Sequence, residues 1–430
     1  MGRYTTQVLL LVAFAIALLF ASASPAAGFG FITKWGSHGK KAGQFVFPPD
    51  VATDRSGNVY VTDGDHRVQK FTPGGAFITQ WEVRRRNGRI GHPWGIATDR
   101  DGNVYVADIL NHKIEKFTAQ GRFISEWGHV GTGRGKFVYP TAVATDRVGN
   151  VYVADRGNGR IEKFTSTGRF LSQWGSPGFG AGQLAQPTGI ATDGAGNVFV
   201  AEGGSNRISK FTSTGDFLLA WGNNVGGPGV DVCTVICTAG DGIGKADNGV
   251  PFDVAASPAG QIFVSDGSGK GAWAVKAFTP EGAYLGEFGP PGNGNGQFRT
   301  PSGLAFDDKG NLYVLDLRND RIQKFGEPSS TFSLNEVRRH PRKGTARLNA
   351  NVPGVGKLIV AGTDIRDARR RAGQAGEIAL PVVPIGGARE KLRSTGRVTV
   401  KVEITYTPTT AGDAVPATRS RRLTLVRADR

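Results

Sequence analysis

Asp50 and Asp253 stand where a recurring Pro-x-Gly pattern places glycine (Gly95, Gly189, Gly303). Two carboxylates at matching places in a chain could converge on a cation such as calcium, which takes oxygen ligands. Such an ion takes about six to eight of them, and no third or fourth ligand is identifiable. The same two side chains read equally well as solvated acids. Trp94 and Phe252 fill the position just before this one and would add apolar contact area, and His92 opens one of the same segments. The six histidines (38, 66, 92, 112, 129, 340) show no metal-ligand spacing, and no Ser–His–Asp order is legible. No residue is assigned a catalytic role, and no resident cofactor is expected beyond that candidate cation. Glycine-rich runs such as GSPGFGAG precede strand patterns, not helices, so they are not phosphate-binding loops.

The elements that position these residues come from internal repetition. GNVYVAD at 102–108 recurs at 57–63, 149–155 and 196–202, and in more distant form at 260–266 and 310–316. Each of the six copies reads as four strands. A first strand follows a proline (PWGIATD, PTAVATD, PTGIATD), a turn Asp-x-x-Gly-Asn leads to the GNVYVAD strand, and a third strand ends in Phe (HRVQKF, HKIEKF, GRIEKF). A fourth carries paired aromatics (FITQW, FISEW, FLSQW). Apolar residues alternate at period two in the second and third strands, which predicts half-buried sheet. The sixth copy ends at Phe325 without a fourth strand, and an orphan one, FITKW at 31–35, precedes the first copy. Joining the two completes a ring and removes an open seam. Trp35, Trp81, Trp127, Trp174, Trp221 and Phe288 then hold equivalent places, expected to pack between neighbouring blades.

The pattern P-x-G-[IV]-A-x-D, G-N-V-Y-V-A-D, N-x-R-I-x-K-F resembles the NHL repeat and covers residues 29–325, about 70% of the chain. The resemblance implies a six-bladed β-propeller. Such propellers serve as binding platforms for proteins or RNA, as sensor domains on exported chains, or as a lyase acting on peptidyl-α-hydroxyglycine, and related folds include metal-dependent lactonases. The fold therefore constrains function weakly. In this kind of propeller the loops entering the first strands, and those between second and third strands, share the ligand face. Asp50, His92, Trp94, Phe252 and Asp253 become candidates for that face. The histidine-centred ligand set of the lyase cannot be assembled here.

Departures from the repeat mark where function is added. The fifth copy has Ser257 in place of the turn Asp, and GSGKGAWAV in place of the Asn-x-Arg turn. The loop into it runs 29 positions from Gly222 to Pro251, against 12 from Gly128 to Pro140. This insert holds Cys233 and Cys237, the chain's two cysteines, and serves either binding or ornament. With no nearby His they make a poor zinc site, and a local disulfide is expected. The Asp closing each second strand (Asp63, Asp108, Asp155, Asp266, Asp316, with Glu202) is expected to satisfy turn amides, not to form a carboxylate ring. EVRRRNGRIGHP at 82–93 puts four Arg in one loop, read as a solvated loop or a phosphate-neutralising patch.

The start of the chain has an arginine, an apolar run of 13 residues from Val8 to Phe20, and a small-residue Ala21-x-Ala23 site. That is the layout of a cleaved secretory signal over residues 1–27, too short to span a bilayer, with an uncleaved anchor as the alternative. Residues 28–326 form the propeller and 327–430 a second all-β domain, expected to be a small immunoglobulin-like β-sandwich. Its run DIRDARRRAGQAGE (364–377) reads as a loop or short helix. Of the net charge of +16, +11 lies in residues 326–430, from 20 Lys or Arg against 9 Asp or Glu. This favours anionic partners or is a solubility surface. The expectation is a secreted or surface-associated monomer that binds a protein or an anionic cell-surface polymer. Nucleic acid is disfavoured by export, and no membrane span remains in the mature chain. The alternative is a metal-assisted lactonase or lyase working in the central channel.

Overall fold

A computed structural model describes residues 29–83, 90–227, 231–240, 249–268, 273–326, 333–352, 356–373, 376–408 and 417–427. The expected leader over 1–27 and the arginines of the 84–89 segment lie outside the described residues. The chain has a propeller fold. Each repeat copy forms an antiparallel sheet in chain order. Five of these sheets have four strands, and the fourth copy gains a fifth, Val232–Cys233. The first strands touch in a cycle, Val51–Thr53 against Pro93–Thr98 and so on round to Pro301–Phe306, which returns to Val51–Thr53. The N-terminal strand Gly30–Trp35 pairs antiparallel with Arg321–Gly326 as the outer strand of the sixth sheet.

Second and third strands differ from expectation. Val59–Asp63, Arg67–Phe71 and most of their equivalents are buried along their whole length. Both faces of each sheet pack on a neighbouring sheet, so the alternation separates two interfaces instead of core from solvent. The lysines of the third strands survive burial by reaching outward. Lys70, Lys116 and Lys163 lie over Tyr60, Tyr105 and Tyr152 at 4.8, 5.0 and 5.1 Å, a cation–π contact. Solvent alternation appears in the fourth strands, such as Phe123–Trp127.

The tryptophans join sheets. Trp81 touches Tyr60 of its own sheet and Phe117 of the next, and Trp127 touches Tyr105 and Phe164 in the same way. Trp35 repeats the pattern with Tyr313 and Phe71, joining the sixth sheet to the first. Each of these rings leaves room only for glycine in the following turn. A Cβ on Gly75, whose φ is +89°, would lie 2.6 Å from Trp35.

A second belt runs round one end of the channel. The hydroxyls of Thr53, Thr98, Thr145 and Thr192 donate to the carbonyls of Phe306, Thr53, Thr98 and Thr145 at 2.6–2.8 Å. The belt lapses where Ala256 and Phe306 replace threonine.

The acid closing each second strand is fully buried, and it clamps a loop. Asp63, Asp155 and Asp316 accept the amides of Val46, Val138 and Arg299. They also accept the Nε–H of Arg67, Arg160 and Arg321 at 2.9–3.0 Å. Those guanidinium groups then donate to the carbonyls of the preceding loop, Arg160 to Thr132, Gly133 and Lys136 at 2.7–2.9 Å. In the fifth copy Ala274 stands where the arginine would be, and Lys276 pairs with Asp266 at 2.7 Å instead.

Beyond residue 332 two sheets enclose a separate core that includes Leu348, Leu358, Leu380, Ile404 and Leu425. One sheet has three strands and the other four. The 364–377 run, expected as loop or helix, contains the edge strand Ala368–Ala372, paired with Gly356–Ala361. At a sheet edge, three successive arginines can all find water, which explains why apolar alternation was absent. A helix, Gly386–Thr395, was not foreseen; only Ala388 and Leu392 of it are buried, too brief a stripe to stand out. No helix among the described residues is long and apolar enough to cross a membrane.

Candidate functional site

Asp50 directly precedes the first strand of the first sheet and Asp253 lies on that of the fifth, the two sheets that flank the sixth, and neither is a freely solvated acid. Asp50 Oδ2 accepts the Ile96 amide of the next sheet and Oδ1 its neighbour Val51, both at 2.8 Å. Asp253 Oδ2 accepts the Leu304 amide at 2.8 Å. Glycines make the space for them. A Cβ on Gly303 would sit 2.6 Å from Asp50 Oδ1, and one on Gly189 2.4 Å from Asp253 Oδ1. Each acid travels with a hydroxyl. Thr62 and Ser265 accept the Asp50 and Asp253 amides, then donate to the carbonyls of Trp94 and Ser302 at 2.7 and 2.6 Å. The other copies have Ala107, Ala154, Ala201 or Leu315 there.

Their half-buried setting raises the pKa of both acids. Burial followed by the negative charge of Asp253 pushes Asp50 well up, and burial takes Asp253 to about 7. Their ordinary value is near 3.9, so the folded chain binds protons that the unfolded chain has released. Stability from this pair is therefore greatest in acid and falls as pH rises from about 4 through about 7, by up to about 1.4 kcal/mol per pH unit per group. An Asp253→Asn chain should show a melting temperature that gains on the parent between pH 5 and pH 8. Parallel melting curves for the two chains would refute the raised pKa.

By itself the pair does not complete a metal centre. No group of three or more His, Cys, Asp or Glu that could hold an ion occurs among the described residues. Each carboxylate is already held by backbone amides, and two such groups are far short of a calcium shell.

The neighbouring loops present aromatic side chains. Trp94 is 43% exposed, Phe47 62% and Tyr139 47%, while Phe252 is half-buried. Phe47 and Tyr139 precede prolines and hold positive φ, 47° and 54°. That left-handed backbone costs a bulky residue about 1 kcal/mol or more. Both are held by the sheet before them: the Phe47 amide donates to Asp320 Oδ1 at 3.1 Å, and the Tyr139 amide to His112 Nδ1 at 3.0 Å. His92 stacks edge-on to His66 with centroids 4.8 Å apart, and its amide donates to Asp108. It supports the rim. The sequence pointed to Trp94 and Phe252 but not to Phe47 or Tyr139; an aromatic directly before the first-strand proline was the available signal.

The expected disulfide, Cys233–Cys237, is present. Its loop is fastened to the fourth sheet: Cys233 pairs with Ala220, and Arg207 donates to the Thr238 carbonyl at 3.1 Å.

A cavity of about 730 Å³ opens at the threonine-belt end of the channel, away from the aromatic rim, on the turns that follow the first strands. Its turn aspartates look acidic but are spoken for. Asp99 Oδ1 accepts two backbone amides, and Oδ2 accepts Asn103 and Tyr105. Arg55, Arg100 and Arg147 follow three such aspartates and line this end. The triplet Thr-Asp-Arg in three successive copies was its sequence signal.

Residues 50–182 match the SMP-30/Gluconolactonase/LRE-like region family, and residues 298–325 match the NHL repeat. No curated protein matches the chain. Among solved structures it is similar to a catalytically inactive virginiamycin B lyase from Staphylococcus aureus with quinupristin. The identity is 17% and the TM-score 0.45, over 67% of this chain and 82% of that one. It is also similar to a gluconolactonase from Xanthomonas campestris, with 16% identity and a TM-score of 0.47, over 67% and 88%. The chain thus carries sequence signatures of NHL and SMP-30/gluconolactonase-like propellers at its two ends of the ring.

Proposed function

We propose that this is an exported recognition protein. A six-bladed β-propeller over residues 28–326, closed by its N-terminal strand, holds a protein or an anionic surface polymer on its aromatic face. The basic domain over 327–430, an immunoglobulin-like β-sandwich, tethers or spaces it. The observation that carries this reading is the pair Phe47 and Tyr139, held exposed in left-handed backbone by Asp320 and His112. An aromatic left this exposed gains only part of its burial within its own chain, Tyr139 through its contact with the His112 ring, and pre-organised contact area is what a binding face requires. The Cys233–Cys237 disulfide supports an oxidising compartment.

The test is retention of the chain on an array of cell-envelope polysaccharides and surface proteins, beside a Trp94→Ser/Tyr139→Ser variant. Specific retention lost in the variant, with the melting temperature unchanged, is the expected outcome. Equal retention of both chains overturns the reading.

A second reading, a metal-assisted lactonase or lyase, draws on the match of residues 50–182 to the SMP-30/gluconolactonase family. Asp50 and Asp253 are the residues it would use. Stoichiometric metal bound by the parent chain and lost in Asp50→Asn/Asp253→Asn, together with lactone turnover lost in parallel, would favour it over the first.

A further inference from the structure

Beside the rim, Phe47, Trp273, Arg299, Arg318 and Asp320 line a pocket of about 450 Å³, within the usual range of small-ligand sites, about 300–1,000 Å³. These residues do not share one repeat position. Trp273 comes from the fifth copy, at the place where the Asn-x-Arg turn is lost, and Arg299 and Arg318 come from two loops of the sixth.

The charge balance is one-sided. Both oxygens of Asp320 are engaged, one by the Phe47 amide and one by His38 Nδ1 at 3.0 Å. Asp316 accepts the Arg299 amide and the Arg321 guanidinium, not the Arg299 side chain. Arg299 and Arg318 are exposed, and among the described residues no carboxylate pairs with either.

We infer that this pocket seats one acidic sugar unit of a carboxylated polysaccharide. The inference rests on the recognition reading above and names its ligand class. A pyranose ring has an apolar C–H face for Phe47 or Trp273 to cover, and its hydroxyls can remain wet in an open pocket. A carboxylate on that ring matches the planar fork of a guanidinium. The net charge of +16, of which +11 lies in residues 326–430, draws a polymer of such units towards the chain as a whole.

Calorimetric titration of the full mature chain with tetragalacturonate tests this, with a neutral galactose tetramer and a sulfated tetrasaccharide as comparators. Binding of the carboxylated tetramer is expected, with no heat from the neutral one. Arg299→Gln/Arg318→Gln and Trp273→Ala should each weaken it at least about tenfold, roughly 1.4 kcal/mol, at unchanged melting temperature. The inference is overturned if the carboxylated tetramer does not bind, if the neutral one binds equally, or if the arginine variant keeps full affinity. Equal or stronger binding of the sulfated tetramer, abolished by salt, would reduce the site to general charge attraction and overturn it too. Should the pocket fail while the Trp94→Ser/Tyr139→Ser variant still loses a ligand on the array, recognition stands and only the ligand class falls.

Discussion

A chain lacking residues up to Trp35 should melt at least about 10 °C below the full chain and aggregate on warming. The strand Gly30–Trp35 is the fourth strand of the sixth sheet, and its removal leaves the edge Arg321–Gly326 unpaired. It is also the point where three sheets meet. Phe29 lies 5.0 Å from Phe263 of the fifth sheet, Phe31 lies 6.1 Å from Phe325 of the sixth, and Trp35 lies 6.0 Å from Phe71 of the first. Loss of aromatic burial on that scale exceeds several kcal/mol, and for a domain of this size each kcal/mol lowers the melting temperature by about 2–4 °C. The exposed edge then templates pairing with other chains. A synthetic peptide of residues 28–38 supplied in trans should restore part of the loss. Calorimetry checks both statements, and an unchanged melting temperature in the truncated chain would show that the ring does not depend on this strand.

Arg207→Ala should be the most damaging single substitution in the repeats, at about 3–5 kcal/mol. Arg207 is fully buried, and its Nε donates to Glu202 at 2.9 Å. Its remaining nitrogens donate to the carbonyls of Phe179, Gly180 and Gln183 and to Thr238 of the disulfide loop. Alanine there leaves Glu202 as a buried charge without its cationic partner and the Phe179, Gln183 and Thr238 carbonyls without the guanidinium that serves them. Lysine would keep the charge but lose the fork, and an intermediate loss is expected. A local signature separates this from general weakening: limited proteolysis near 233–240 should accelerate before global unfolding, because Thr238 loses its donor. Denaturant melts together with the cleavage pattern check the prediction. A loss below about 1 kcal/mol would mean that the pair is not the fastener of this loop.

The arginine clamp also accounts for a regularity that was in the sequence but not read from it. Four lead-in loops have the form Gly-x-x-Gly-x-x-x-Gly-[Gln/Lys]-[Phe/Leu], beginning at Gly36, Gly128, Gly175 and Gly289. The copies they lead into carry Arg67, Arg160, Arg207 and Arg321. The two copies with other loops carry Lys113 and Ala274. Loop and arginine form one unit because most of the guanidinium's donors end on that loop's carbonyls, as those of Arg160 do on Thr132, Gly133 and Lys136. The co-occurrence of Asp50 with Thr62, and of Asp253 with Ser265, has the same logic.

Turns, strand order and the placing of FITKW beside the sixth copy were legible in the residues alone, because they follow from local periodicity, proline and glycine punctuation, and a count of strands. The disulfide was legible because two cysteines four positions apart have no other partner in the chain. The tertiary structure alone decided that the second and third strands are buried on both faces, since burial depends on what packs against a sheet and not on its own alternation. It decided that Asp50 and Asp253 are half-buried and bound to amides of other sheets, contacts made 46 and 51 residues away in sequence. It also brought Phe47, Trp273, Arg299 and Arg318 to one pocket. Those residues are up to 271 positions apart in the chain, and only closure of the ring makes the first sheet a neighbour of the sixth.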